Sequence, residues 1–165
     1  MKLEPLDRVL TIDPGMNTGW AYWNKFNREP ANTGEFKLGD QKIKATMHTT
    51  EEQMEMLWSK FIRLVRKYNP IICHIEGVGL WSSSLKSVTA AKTGKLFKLA
   101  FLIGGYCRIC QQEGVSFSII QPAQWKGQLN DVVVKSRVLR AINQEYRSPH
   151  TTDAVGMGLS LLGDL

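Results

Sequence analysis

The sequence contains no uninterrupted apolar run long enough to cross a membrane. One of its longest apolar stretches, residues 96–109, includes Lys98, Arg108 and two glycines and falls short of the roughly 20 residues that a transmembrane helix needs. The first eight residues carry charged side chains and no apolar segment of the kind found in secretory signals. We therefore expect a cytoplasmic protein without a membrane anchor.

Cysteine is scarce, with three residues in the chain. Cys107 and Cys110 form a C-x-x-C pair, but they lie in an apolar, helix-like pattern without the glycine or proline of a zinc knuckle. The other possible ligands, Cys73 and His74, would point to opposite faces of a strand. We therefore expect buried, reduced thiols rather than a zinc site, in keeping with a cytoplasmic protein.

Acidic residues are outnumbered, since 15 aspartates and glutamates face 21 lysines and arginines, which gives a net charge of +6. A basic domain of this size suits a polyanionic partner such as nucleic acid. The length of 165 residues and the hydrophobic fraction of 43% predict one domain, residues 1–165, with a sizeable core.

The hydrophobic pattern predicts an α/β fold with the element order β-β-β-α-β-α-β-α-α. Three short strands come first and are expected to form an antiparallel meander. Later strands alternate with helices, which is typical of crossover connections. The predicted strands are residues 8–13, 18–23, 32–38, 71–76 and 115–120, and the predicted helices are residues 49–68, 85–113, 131–146 and 151–162.

Four side chains of this pattern could form a metal centre. Asp13 and Glu76 each close an apolar strand, and ligands of α/β sheets gather at strand carboxyl ends. His150 and Asp153 lie three residues apart at the start of the last helix, on one face. Carboxylates with one imidazole suit Mg²⁺ or Mn²⁺, and two such ions can promote phosphoryl transfer on a nucleic acid.

Each of these four residues also has an ordinary structural interpretation. Asp13 precedes Pro14 and Gly15 and could serve as a turn residue. Glu76 and His150 could be solvated, and Asp153 could complement the dipole of its helix. Spacing alone therefore leaves the metal site as one of several options.

Three motifs carry a resemblance to a known family. They are IDPGMNTGWA at residues 12–21, CHIEGV at residues 73–78 and HTTDAVGMGLS at residues 150–160. In this order and spacing the chain resembles RuvC-type Holliday junction resolvases of the ribonuclease H-like superfamily. The resemblance extends over essentially the whole chain and implies a mixed five-stranded sheet flanked by helices.

The resemblance also implies an activity. Asp13, Glu76, His150 and Asp153 correspond to catalytic residues that bind two Mg²⁺ ions, for which Mn²⁺ substitutes. The family implies a metal-dependent endonuclease that resolves four-way junctions by paired symmetrical nicks and leaves 5′-phosphate and 3′-hydroxyl ends. It further implies a homodimer, which we expect to be held largely by the helix that contains residues 94–110.

Basic and aromatic residues complete the predicted site. Trp81 lies in the loop after Glu76, later than the family's aromatic residue, and either folds into the core or stacks on unpaired bases. Lys126 lies in a polar loop, residues 121–130, that is expected to face the site, and Lys135 follows this loop. The predicted DNA-binding residues are Trp81, Lys86, Lys126, Lys135 and Arg137.

Other functions compete with junction resolution. A broader branched-DNA or flap endonuclease, or a nuclease of RNA–DNA hybrids, would share the fold and the acidic residues. The motif around Asp13 also resembles the phosphate loop of actin-like ATPases and sugar kinases, but those need a second domain and a second glycine-rich loop. A purely DNA-binding module is disfavoured because binding needs basic rather than acidic clusters. The sequence leaves open the preferred cut sequence, the protein partners and a host, phage or viral origin.

Overall fold

The computed structural model describes residues 7–25, 29–38, 49–79 and 94–165. In these residues five strands form one sheet in the order β3-β2-β1-β4-β5. The first three strands are antiparallel, whereas β4 runs parallel to β1 and β5 runs parallel to β4. The predicted mixed five-stranded sheet is therefore confirmed. The strands are β1 (Val9–Asp13), β2 (Thr18–Trp23), β3 (Asn32–Phe36), β4 (Ile72–Glu76) and β5 (Ser116–Ile120).

Helices cover both faces of the sheet. The described helices are α1 (Thr50–Tyr68), α2 (Lys95–Gln112), the single-turn α3 (Pro122–Trp125), α4 (Asp131–Ile142) and α5 (Pro149–Leu162). Leu10 and Ile12 of β1 pack into one core with α1 and α2. Val9 of the same strand packs into a second core with α4 and α5. Side chains of β1 thus point alternately into two hydrophobic cores, which makes β1 a central strand of the fold.

Local sequence signals explain where several helices begin and end. Thr49 and Glu52 form a reciprocal capping box at the start of α1, as their spacing predicts. Helix α4 ends at Ile142, four residues earlier than predicted, because Asn143 adopts a left-handed conformation with φ of 51°. Helix α5 begins at Pro149, earlier than predicted, with Ser148 as its N-cap.

Two further predictions differ from the structure or lie outside it. The polar loop predicted at residues 121–130 contains the short helix α3, which begins with a proline at its first position. The described part of the long helix predicted at residues 85–113 begins at Lys95, and residues 80–93 lie outside the described parts of the chain.

Two of the three cysteines lie in α2 and the third lies in β4. Cys73 and Cys110 are buried and Cys107 is half-buried. Among the described residues, none of the three belongs to a cluster of side chains able to hold a metal ion. No helix in the described ranges is both long and apolar enough to cross a membrane.

Two adjacent glycines of α2 provide a test of the packing between α1 and α2. A Cβ atom on Gly105 would lie 1.9 Å from Nε1 of Trp58, whereas a Cβ atom on Gly104 would meet nothing within 4 Å. Gly104→Ala should gain about 1 kcal/mol of helix propensity and raise the melting temperature by roughly 2–4 °C. Gly105→Ala gains the same propensity but overpacks the helix contact, which costs about 1–3 kcal/mol.

Thermal melts of both variants, followed by circular dichroism, measure the difference. Gly105→Ala should melt several degrees below Gly104→Ala at protein concentrations low enough to keep the chain monomeric. Equal melting temperatures would show that Trp58 does not pack against Gly105.

Candidate metal centre

Two acidic residues lie side by side at the carboxyl ends of neighbouring parallel strands. Strand β1 pairs with β4 so that Ile12 lies opposite Ile75, and the next residues are Asp13 and Glu76. Only 7% of Asp13 and 9% of Glu76 is exposed. The predicted convergence of the two strand-end acids follows directly from this register.

Helix α5 brings the other two predicted residues to the same place. One oxygen of each of Asp13, Glu76 and Asp153 lies within 4.8 Å of the other two, and we call these three residues the carboxylate cluster. Nδ1 of His150 lies 2.7 Å from Oδ2 of Asp13. His150 therefore contacts the cluster through Asp13.

The approach of α5 to the sheet depends on a glycine in β2. A Cβ atom on Gly19 would lie 2.1 Å from the carbonyl carbon of His150, so any larger residue there would push the helix away. The hydroxyl of Thr11 on β1 donates to the carbonyl oxygen of Ala154 at 2.8 Å. These two contacts place the first turns of α5 directly against β2 and against β1, the strand that carries Asp13.

Burial changes the acidity of the cluster. Burial, followed by the negative charge of Asp13, raises the pKa of Glu76 to about 8. Burial also raises the pKa of Asp153, although the ammonium of Lys126 opposes this shift. The site therefore favours groups that neutralise its carboxylates.

The last residue of α3 and the residue after it supply two side chains that contact the cluster. Nε1 of Trp125 donates a hydrogen bond of 3.0 Å to Oε1 of Glu76. Nζ of Lys126 lies 2.9 Å from Oδ2 of Asp153 and 3.8 Å from Oε1 of Glu76. Burial disfavours the charged form of Lys126, but attraction from Glu76 and Asp153 outweighs it, and the pKa of the lysine is raised. The ammonium thus acts as a counter-ion at the edge of the cluster.

Of the remaining predicted DNA-binding residues, the structure describes Lys135 and Arg137. Trp81 and Lys86 lie outside the described residues. Lys135 lines a cavity of about 190 Å³ that borders Asp153. Arg137 lines a different cavity of about 310 Å³, together with the end of the chain. Lys135 and Arg137 therefore lie on different sides of α4, and only Lys135 is near the cluster.

The donor set of the cluster fits a hard divalent cation. Carboxylate oxygens are the preferred ligands of Mg²⁺ and Mn²⁺, and three of them converge here with an imidazole beside them. A cavity of about 260 Å³, lined by Asp13, Glu76 and Lys126, gives access to two of these carboxylates. The cluster is able to hold metal ions.

Sequence reasoning missed two features of this site. The contact of Trp125 with Glu76 could not be foreseen, because α3 is four residues long and has no hydrophobic period. Lys126 was expected to contact DNA phosphates, whereas its ammonium lies against two carboxylates. The signal available in the sequence was a lysine after a tryptophan in an otherwise uncharged loop.

Three solved structures are similar to the whole fold. T. thermophilus RuvC in complex with a Holliday junction substrate has a TM-score of 0.66 at 16% identity. The matched region covers 93% of this chain and 91% of the RuvC chain. Another Thermus thermophilus RuvC structure has a TM-score of 0.65 at 14% identity, with the same coverage. The yeast mitochondrial Holliday junction resolvase Ydc2 has a TM-score of 0.56 at 14% identity and covers 94% of this chain and 80% of that chain.

No protein-family model and no curated protein sequence matches the chain. At the identities of the structural matches, the similarity establishes the fold, which is ribonuclease H-like. The resemblance to RuvC-type resolvases that the three motifs indicate is thereby confirmed as a structural similarity over more than nine-tenths of this chain.

The raised pKa of Glu76 predicts a pH-dependent stability in the presence of a chelator. The pKa is ordinarily near 4.5 and rises to about 8 in the folded protein. Between these values the folded chain holds a proton that the unfolded chain has lost, so the free energy of unfolding falls as the pH rises. Glu76→Gln cannot titrate, and its amide oxygen can still accept the hydrogen bond from Trp125.

Thermal melts of both proteins in EDTA between pH 4 and pH 9 test this expectation. The melting temperature of Glu76→Gln minus that of the wild type should increase from about pH 4.5 to about pH 8. Above about pH 8 this difference should stay constant. If the melting temperatures of the two proteins changed in parallel with pH, the burial of Glu76 and its repulsion by Asp13 would be contradicted.

Proposed function

We propose that the protein is a metal-dependent endonuclease that resolves four-way DNA junctions by paired symmetrical nicks. The observation that carries this proposal is the carboxylate cluster, with His150 beside it, at the strand ends of a ribonuclease H-like sheet. The fold is similar to that of T. thermophilus RuvC, which was solved with a Holliday junction substrate. We further propose that residues 1–165 form a single nuclease domain.

The proposed reaction is hydrolysis of a phosphodiester. A water oxygen bonds to phosphorus, the bond from phosphorus to the 3′ oxygen breaks, and a proton reaches that oxygen, which leaves 5′-phosphate and 3′-hydroxyl ends. Two divalent cations, Mg²⁺ or Mn²⁺, would activate the water and stabilise the leaving oxygen when bound.

Each residue of the site has its own proposed role. Asp13, Glu76 and Asp153 are the proposed metal ligands, and His150 orients Asp13 through their 2.7 Å contact or joins the ligand set. Lys126 keeps a positive charge at the edge of the cluster, where it can contact an oxygen of the scissile phosphate.

Basic residues around the cluster support a nucleic-acid substrate. Lys135 and the exposed Arg147 line the cavity that borders Asp153. The net charge of +6 attracts a polyanion, and phosphate contacts of this kind supply most of the affinity for DNA. The proposed substrate is therefore a branched DNA whose backbone passes over the cluster and along this cavity.

A homodimer is proposed on the basis of an exposed apolar face of α2. Phe97 is 75% exposed and Phe101, one turn later, is 57% exposed. Gly104 continues this face without a side chain, whereas Gly105 points inward at Trp58 and takes no part in it. A second copy covering this face would place two clusters about a two-fold axis, as paired nicks in a junction require.

A cleavage assay with a panel of substrates tests the proposed function. The purified protein is incubated with Mg²⁺ or Mn²⁺ and end-labelled four-way junction, flap, fork, linear duplex and RNA–DNA hybrid. We expect paired nicks in the junction and little cleavage of the duplex. Preferred cleavage of flaps or hybrids would replace junction resolution by another nuclease activity, and no cleavage of any substrate would reject the proposal.

The first variant to test is Asp13→Asn, which removes a charge from the cluster without changing its shape. Cleavage should fall by more than roughly 100-fold, because even residues outside the ligand set of metal sites matter by up to that factor. The dissociation constant for junction DNA should change little, since lysine and arginine contacts dominate binding. The readouts are cleavage rate and gel-shift affinity.

Glu55→Gln is the matched control, because Glu55 is an exposed carboxylate on α1 outside the cluster. It should cleave at the wild-type rate. Full activity of Asp13→Asn at saturating Mg²⁺ would reject the cluster as the catalytic site.

The proposed dimer is tested with the double variant Phe97→Ser and Phe101→Ser. Loss of the apolar face should convert the dimer to a monomer at micromolar concentration and uncouple the two nicks. Val132→Ser is the control, since Val132 is 77% exposed but lies on α4. Light scattering measures the mass. A wild-type chain that is monomeric with and without junction DNA, or a double variant that stays dimeric, would contradict the proposed interface.

A further inference from the structure

Strand β3 carries a carboxylate that is nearly buried although the strand lies at the edge of the sheet. The side chain of Glu35 is 12% exposed. Burial of an ionised carboxylate is unfavourable unless polar partners surround it. Oε1 of Glu35 accepts a hydrogen bond of 2.8 Å from the hydroxyl of Ser148, and Oε2 lies 3.3 Å from the ammonium of Lys37.

The contact with Ser148 reaches the start of α5. Ser148 is the N-cap of this helix, and its side-chain oxygen accepts a hydrogen bond of 3.3 Å from the backbone N–H of Thr151. A serine hydroxyl has one proton to donate. Because this proton is directed at Glu35, a lone pair of the same oxygen is left for Thr151. Glu35 therefore fixes the orientation of the capping hydroxyl.

A second contact joins the same strand to the same turn. The hydroxyl of Thr151 donates to the carbonyl oxygen of Gly34 at 3.0 Å. Gly34 and Glu35 are consecutive residues of β3, and Ser148 and Thr151 belong to the cap and first turn of α5. Two adjacent residues of the edge strand thus hold the beginning of the helix at two points.

The turn held in this way carries half of the proposed metal centre. His150 lies between Ser148 and Thr151 in sequence, and Asp153 follows two residues after Thr151. A small displacement of this turn would change the distance between Asp153 and the acids of β1 and β4. Residues that orient metal ligands from outside the ligand set commonly alter affinity or activity by 10–100-fold.

We propose that Glu35 is a positioning residue for the carboxylate cluster, acting through the hydroxyl of Ser148 on the first turn of α5. Its effect on cleavage rests on the proposed function, whereas its effect on metal binding does not. The competing explanation is a stabilising ion pair with Lys37. Lys37 is 58% exposed, and ion pairs of this kind contribute little.

Four variants separate these explanations. Glu35→Ala and Ser148→Ala each remove one end of the hydrogen bond. Glu35→Gln removes the charge but keeps an amide oxygen that can accept the serine proton. Lys37→Ala is the matched control, because it removes the ion pair and leaves the contact with Ser148.

Three measurements are made on each variant: Mn²⁺ affinity by titration calorimetry, the kcat and KM of junction cleavage, and the melting temperature. We expect Glu35→Ala to weaken Mn²⁺ binding and lower kcat by roughly 10–100-fold, with KM for the junction nearly unchanged. Ser148→Ala should match it. Glu35→Gln should stay within about threefold of the wild type, and Lys37→Ala should not differ from it.

Wild-type Mn²⁺ affinity in Glu35→Ala would overturn the inference. Equal losses in Glu35→Gln and Glu35→Ala would also overturn it, because charge rather than the hydrogen bond would then be responsible. If Glu35→Ala does not fold, Ser148→Ala decides, and wild-type Mn²⁺ affinity in that variant rejects the inference. A wild-type protein that binds Mn²⁺ but cleaves no junction would reject the proposed function alone.

Discussion

The contact between the backbone of α5 and the backbone of β2 is the constraint on which the site depends. At Gly19 there is no room for a side chain, because the carbonyl carbon of His150 would lie 2.1 Å from its Cβ atom. A second close approach occurs further along the helix, where a Cβ atom on Gly158 would lie 2.1 Å from the ring of Trp23. With glycine at both positions, α5 lies flat against the sheet and Asp153 reaches the acids of the central strands.

The close approach of the acidic residues that forms the site also destabilises the folded protein. Bringing three carboxylates within 4.8 Å of one another at the edge of a hydrophobic core is unfavourable without a compensating positive charge. The ammonium of Lys126 provides part of that charge, and the indole N–H of Trp125 adds a hydrogen bond to Glu76. A site that still favours further neutralisation is well suited to bind cations, and strongly perturbed acids of this kind are common at functional sites.

The sequence was most informative where apolar strands end in an acid. The hydrophobic runs before Asp13 and Glu76 predicted two buried strands, and the order of elements predicted the mixed sheet. The contributions of Trp125 and Lys126 could not be predicted, because they depend on one helical turn and on tertiary contacts between distant segments. The different surroundings of Gly104 and Gly105 could not be predicted from their adjacency, since consecutive helical residues point in different directions and Gly105 faces α1. The three motifs indicated a likeness that no family model detects and that appears in the fold.

The most direct test of the central claim, that the carboxylate cluster binds divalent cations, is an anomalous difference map from crystals grown with Mn²⁺. Data collected at the manganese absorption edge should show at least one strong peak bounded by the carboxylates of Asp13, Glu76 and Asp153. A map with no peak there at saturating Mn²⁺, or with peaks only elsewhere on the protein, would contradict the account.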